Sequence, residues 1–143
     1  MYKRILLTID LNHSGSWSKA LPQALDLARA YGAELHVLTV VPAFQSSMVA
    51  SYFPETFEAE ALVTAKSSLE ALIAKEVPGD SRPITHVAHG RVHEEVIKQI
   101  ETLQPDLVVM ASHAPDRVRE FLIGSEADRV VRRSPVSVLV IRG

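Results

Sequence analysis

The segment Gly124-Ser125-Glu126-Ala127-Asp128 holds residue types suited to seating an anion. Glycine lets a backbone approach a phosphate closely. Ser125 adds a hydroxyl and an N–H where a helix is expected to start, and the first N–H groups of a helix lack intrahelical partners while its dipole points outward. The same residues also read as plain structure, with Ser125 and Asp128 approximating a capping box. Asp10 follows the apolar run Ile5-Leu6-Leu7-Thr8-Ile9 and offers a carboxylate to a ribose hydroxyl, a base or a phosphate-bound cation. With Asn12, Ser14 and Ser16 beside it, Asp10 equally suits the cap of a turn.

Other chemistries find less support. His86, His89 and His93 invite a metal reading, but the first two lie on or beside a strand, where an odd offset sends side chains to opposite faces. Without Cys or a clustered carboxylate, no metal site is expected there. His36, inside an apolar run, reads as a hydrogen-bonded core residue, whereas His113 stands at a run's end, where ligands gather. No Ser sits in a Gly-x-Ser-x-Gly elbow, and both Gly-x-Gly-x-x-Gly and Gly-x-x-x-x-Gly-Lys-Ser/Thr are absent. Binding is favoured over turnover.

These residues must be positioned by five short runs rich in Ile, Leu and Val, spanning 4–9, 34–41, 84–88, 107–111 and 136–141. The first, fourth and fifth are nearly unbroken, as expected of strands buried on both faces of a parallel sheet. Helical spacing fills the gaps. It is carried by Ala20, Ala24, Leu27, Ala28 and Tyr31 before a capping Gly32, and by Ala61, Ala65, Leu69, Leu72 and Ile73 within 54–76. A third helix covers 92–103 and is blocked by Pro105; a short fourth covers 125–133, with Ala127, Val130 and Val131 inward. Strict alternation of strand and helix predicts one doubly wound, mostly parallel α/β sheet with helices on both faces. Residues 42–53 read as a surface loop. In such folds ligands bind beyond the carboxyl ends of the strands. If the first strand is central, Asp10, residues 39–41 and residues 111–113 converge near the start of the last helix.

Composition bounds the rest. The 143 residues suit a single domain, 1–143, with no linker dividing it. Cys is absent, which excludes disulfides, thiol catalysis and thiolate metal sites. Fifteen Lys and Arg against 17 Asp and Glu give a charge of −2, so no basic field points to nucleic acid. The apolar runs are strand-sized, too short for a membrane span or a signal peptide, and a cytoplasmic location is expected.

Ala111-Ser112-His113-Ala114, nine residues, then Gly124-Ser125, resembles the phosphate motif of the universal stress proteins, which is Gly, two residues, Gly, nine residues, Gly-Ser/Thr. The likeness extends along the chain through Arg4-Ile5-Leu6-Leu7-Thr8-Ile9-Asp10, Glu34-Leu35-His36-Val37, Asp106-Leu107-Val108-Val109-Met110 and the closing Arg132-Arg133-Ser134-Pro135-Val136-Ser137-Val138-Leu139-Val140-Ile141. Ser112-His113-x-Pro115 is most similar to the bacterial F/G-type branch. The resemblance implies a five-stranded sheet of order 3-2-1-4-5 and a stress-response protein that binds an adenine nucleotide: ATP, or ADP or AMP, with Mg²⁺ bridging the phosphates. By the same matching, Asp10 lies by the base and ribose, and Val37 gives backbone contacts to adenine. Met110 and Ala111 flank the ribose and first phosphate, Gly124, Ser125 and the backbone of Glu126 hold the later ones, and Thr8, His113, Ala114 and Arg117 complete the expected nucleotide-binding set. Both early glycines of the motif are Ala here, and a Cβ at a positive φ would cost about a kilocalorie or more. Arg117 and Arg119 offer replacement charge, or form a solvated face.

The resemblance further implies a homodimer through the last strands. The strand that opens at Val136 and closes at Ile141 is β-branched and would lie at the sheet edge, which pairing with its own copy would protect. Burial under the last helix and the 42–53 loop is the alternative. A rival function is a nucleotide-independent interaction protein whose phosphate loop has decayed. Slow ATP hydrolysis or self-phosphorylation through Ser112, Ser125 or Asp10 lacks an evident general base.

Overall fold

The computed structural model describes residues 1–43, 57–79, 81–112 and 124–142. Its elements are β1 (Arg4–Ile9), α1 (Ala20–Tyr31), β2 (Glu34–Pro42), α2 (Phe57–Glu76), β3 (Ile84–Gly90), α3 (Val92–Leu103), β4 (Leu107–Ala111), α4 (Ser125–Arg133) and β5 (Ser137–Ile141). A 3-10 turn, Ser14–Ser16, joins β1 to α1. The five strands form one sheet in the order β3-β2-β1-β4-β5, every pair parallel. This is the order the motif resemblance implies.

Alternation along β1 builds the two halves of the core. Ile5, Leu7 and Ile9 pack with residues of α1 and α2, including Leu21, Ala24 and Leu69. Leu6 faces the other way, toward Val96 and Ile100 of α3 and Val130 of α4. Ile5, Leu6 and Leu7 are wholly buried, as a central strand covered on both faces requires. Gly32 ends α1 at φ 64°, and its N–H bonds back to the carbonyls of Ala28 and Arg29. At the end of α3, Gln104 takes the left-handed conformation without glycine, at φ 51°, before Pro105.

Several boundaries and faces differ from expectation. Strand β3 runs two residues past Ala88 to Gly90, because its ladder with β2 continues through Val41↔His89 and Pro42↔Gly90. Pro42 therefore belongs to β2, and of the expected 42–53 loop only residues 42 and 43 are among those described. Strand β5 starts at Ser137, one residue after Val136, and it is not buried on both faces. It is the edge, its exposure alternates, and Leu139 is 37% exposed. Val131 also points out at 43% exposure, since the nine-residue α4 buries only the face shared by Ala127 and Val130. Tyr31 lies on the surface, edge-on to Tyr2 with ring centroids 5.2 Å apart.

Candidate functional site

At the carboxyl ends of β1, β2 and β4 lies a cleft of about 1000 Å³, bounded by the β1–α1 turn, one side of α2 and the start of α4. Its position follows from the topology. Strand β1 is central and its neighbours β2 and β4 lead away in opposite directions, so the loops beyond them part and leave a crevice. Thr8, Asp10, Met110, Ala111, Gly124, Ser125 and Glu126 all line it.

Asp10 is held by its own turn. Ser16 Oγ accepts the Asp10 backbone N–H at 2.8 Å and lies 2.8 and 2.7 Å from the carbonyl oxygens of Asp10 and His13. One carboxylate oxygen of Asp10 accepts the Asn12 N–H at 2.9 Å, an Asx-type turn, and the other is 3.9 Å from His13 Nε2. The capping role is thus realised, and the carboxylate is fixed on the cleft wall.

Gly124 is the N-cap of α4 at φ 83° and ψ 148°, and its carbonyl accepts the Asp128 N–H at 3.0 Å. The capping box expected between Ser125 and Asp128 is not formed: Ser125 is the first helical residue, and the cap itself carries no side chain. Glu126 instead reaches α3, where Oε2 accepts the His93 N–H at 3.0 Å and lies 3.2 Å from His93 Nδ1. Ala111 lies within β4, in register with Ile141, and Gln104 is the only non-glycine at positive φ among the described residues. The Cβ at 111 therefore carries no backbone strain. His113, Ala114, Arg117 and Arg119 lie outside the described residues.

Val37 does not reach the cleft. It pairs with Leu7 and Thr85 in mid-sheet and is fully buried in the core beside α1 and α2. The residues of β2 that line the cleft are 38–42, one to five positions further along the strand. Sequence reasoning missed Trp17, which lines the cleft beside Leu11. Its indole Nε1 is buried with no hydrogen-bond partner among the described residues. The signal was a lone aromatic seven residues past Asp10. Also missed was the side of α2 carrying Thr64, Ser68 and Lys75, which faces the cleft beside Ala61 and Leu72. That polar spacing on an otherwise alanine-rich helix was the available clue.

The other titratable cluster sits away from the cleft, near the amino ends of the strands. His36 is buried, its Nδ1 2.8 Å from His86 Nε2 and its Nε2 3.0 Å from Glu34 Oε1. It is the hydrogen-bonded core histidine expected from its strand. Burial, then the neighbouring His36 and Lys66, holds the His86 imidazole below its ordinary value. Hydrogen bonds from His36 and Arg4 lower the Glu34 carboxyl, and the Lys3 and Arg4 N–H groups, at 2.8 and 3.2 Å, do the same for Asp106. Among the described residues, no group of three or more His, Asp or Glu could hold a metal ion. No described helix is long and apolar enough to cross a membrane.

Residues 1–142 match the model of the universal stress protein family. Among curated proteins, universal stress protein G of Salmonella typhimurium is 32% identical over 144 residues, covering 99% of this chain and all of that one. A putative universal stress protein of Staphylococcus saprophyticus is 31% identical over 147 residues, covering 99% of this chain and 84% of its own. Among solved structures, the universal stress protein UspA from Lactobacillus plantarum superposes with a TM-score of 0.76 at 22% identity, covering 99% and 98% of the two chains. A universal stress protein solved in complex with cAMP gives 0.62 at 20% identity, covering 99% and 97%.

Proposed function

The chain belongs to the universal stress protein family, and from that we propose that it binds an adenine nucleotide in the crest cleft and acts as a regulatory homodimer. The observation that carries this reading is Gly124, a left-handed N-cap that opens the free N–H groups of α4 onto the same cleft as the ends of β1 and β4. A relative of the same fold was solved in complex with cAMP, an adenine nucleotide.

The chemistry of the wall divides along the cleft. Leu11, Trp17 and the end of β2 give an apolar surface suited to a base. Backbone polar groups near Val40 take the part first assigned to Val37. Asp10, fixed by its turn, suits a ribose hydroxyl. The N–H groups at the start of α4 suit phosphates, and Ala111 in plain extended backbone leaves that approach unstrained. ATP is the expected ligand, with ADP and AMP as lesser ones. Mg²⁺ would screen the phosphate charge beside Glu126, held by the phosphates themselves.

Freshly purified protein, denatured and cleared, is expected to release adenine nucleotide into the supernatant, and calorimetric titration with ATP and Mg²⁺ is expected to give saturable heat. No released nucleotide together with no heat at millimolar ATP refutes the reading and leaves a nucleotide-independent interaction protein. The homodimer rests on β5, a sheet edge with Leu139 exposed. Pairing of this edge about a two-fold axis would cover it. A monomer in light scattering at high concentration would refute that part.

A further inference from the structure

Two helix N-termini meet on one carboxylate. Glu126, the second residue of α4, accepts the backbone N–H of His93 near the start of α3 at 3.0 Å. The same oxygen lies 3.2 Å from His93 Nδ1, a pairing that requires the imidazole proton on Nδ1. The N-cap of α3, Arg91, makes no side-chain capping bond, so a residue of another helix supplies what the local sequence does not. His93 is 7% exposed, whereas Glu126 is partly open on the cleft wall, its second oxygen 3.4 Å from Arg129 Nη1.

A buried imidazole thus fixes a carboxylate where the proposed phosphate end of the cleft begins. Such a charge suits the helix dipoles, but it is also what the outermost phosphates would meet on entering. Its repulsion grows with phosphate number and vanishes for adenosine. We propose that Glu126 is a specificity-determining residue that narrows the preference for ATP over AMP, and that His93 is the positioning residue that holds it against α3. Freed from His93, the carboxylate would turn toward the N–H groups of its own helix and compete with phosphate there. This inference rests on the nucleotide reading above and adds the ranking of ligands within it.

The test is calorimetric titration of adenosine, AMP, ADP and ATP, with Mg²⁺, into the full chain and its variants. Glu126→Gln is expected to tighten ATP about tenfold, ADP less, and AMP and adenosine by no more than about twofold. His93→Leu is expected to weaken ATP severalfold while leaving adenosine unchanged, and His93→Asn, which keeps an amide donor, is expected to restore ATP affinity. Equal shifts for all four ligands with Glu126→Gln, or none, would overturn the proposal alone. If His93→Leu does not fold, the Glu126→Gln series decides. Absence of binding by the wild type and every variant would overturn the nucleotide reading together with this proposal.

Discussion

Replacing Gly124 by alanine tests the backbone geometry on which the cleft depends. At φ 83° and ψ 148°, Gly124 borders a region that residues with a Cβ almost never occupy, and holding one there costs about 1–3 kcal/mol. For a chain of 143 residues, each kilocalorie lowers the melting temperature by about 3–4 °C, so Gly124→Ala should melt about 3–12 °C below the wild type. Relaxation of that strain would move the start of α4, so nucleotide binding should fall with stability. The protection given to the wild type by ligand at a hundred times Kd, about 2.7 kcal/mol, should shrink or disappear in the variant. Gly15 is the internal control: a Cβ built there meets nothing within 4 Å and needs no positive φ. Gly15→Ala should therefore be neutral or stabilising by several tenths of a kilocalorie, about what the loss of unfolded-state freedom supplies. Differential scanning calorimetry of the three proteins, with and without ATP and Mg²⁺, reads both effects. A Gly124→Ala protein that melts with the wild type and gains the same protection from ATP would refute the argument.

Three further outcomes follow from other parts of the molecule. Leu69 of α2 is wholly buried in the half of the core it shares with residues of β1 and β2, so Leu69→Ala should lower the unfolding free energy by about 2–5 kcal/mol in urea titrations. Because the folded chain holds His86 below its ordinary value of 6.5, the unfolded chain binds the extra proton first as pH falls. The His86 contribution is thus intact above pH 6.5 and lost as pH falls through the lowered folded value; urea midpoints at pH 8 and 5 should differ less in His86→Gln than in the wild type. Leu139→Lys places a charge on the exposed β5 edge; on the proposed pairing, light scattering should find the wild type a dimer and the variant a folded monomer.

Arg4–Ile9 and Leu107–Ala111 announce themselves as unbroken apolar runs because both of their faces are covered. The last two residues of β3, His89 and Gly90, carry no such signal, and only their pairing with Val41 and Pro42 makes them strand. The place of Asp10 and Gly124 on the cleft wall was legible because each ends or begins an element, where topology alone fixes which end of the sheet a residue faces. Val37 was misplaced because a strand's sequence does not state how far each residue lies from the crest; register with Leu7 does. The hydrogen bond from the His93 N–H to Glu126 spans 33 residues and was invisible to any local spacing rule. Ser125 and Asp128 matched a capping box by type, but the glycine before them took the cap.

Trp17 is the single tryptophan of the chain, and it stands on the wall of the cleft with its indole N–H enclosed and without a partner among the described residues. Its emission therefore reports from one place, with no background from a second indole. A purine stacked nearby would quench or shift that light, whereas an event confined to the β5 edge would leave it unchanged. The chain carries an intrinsic optical gauge of whether its crevice is filled.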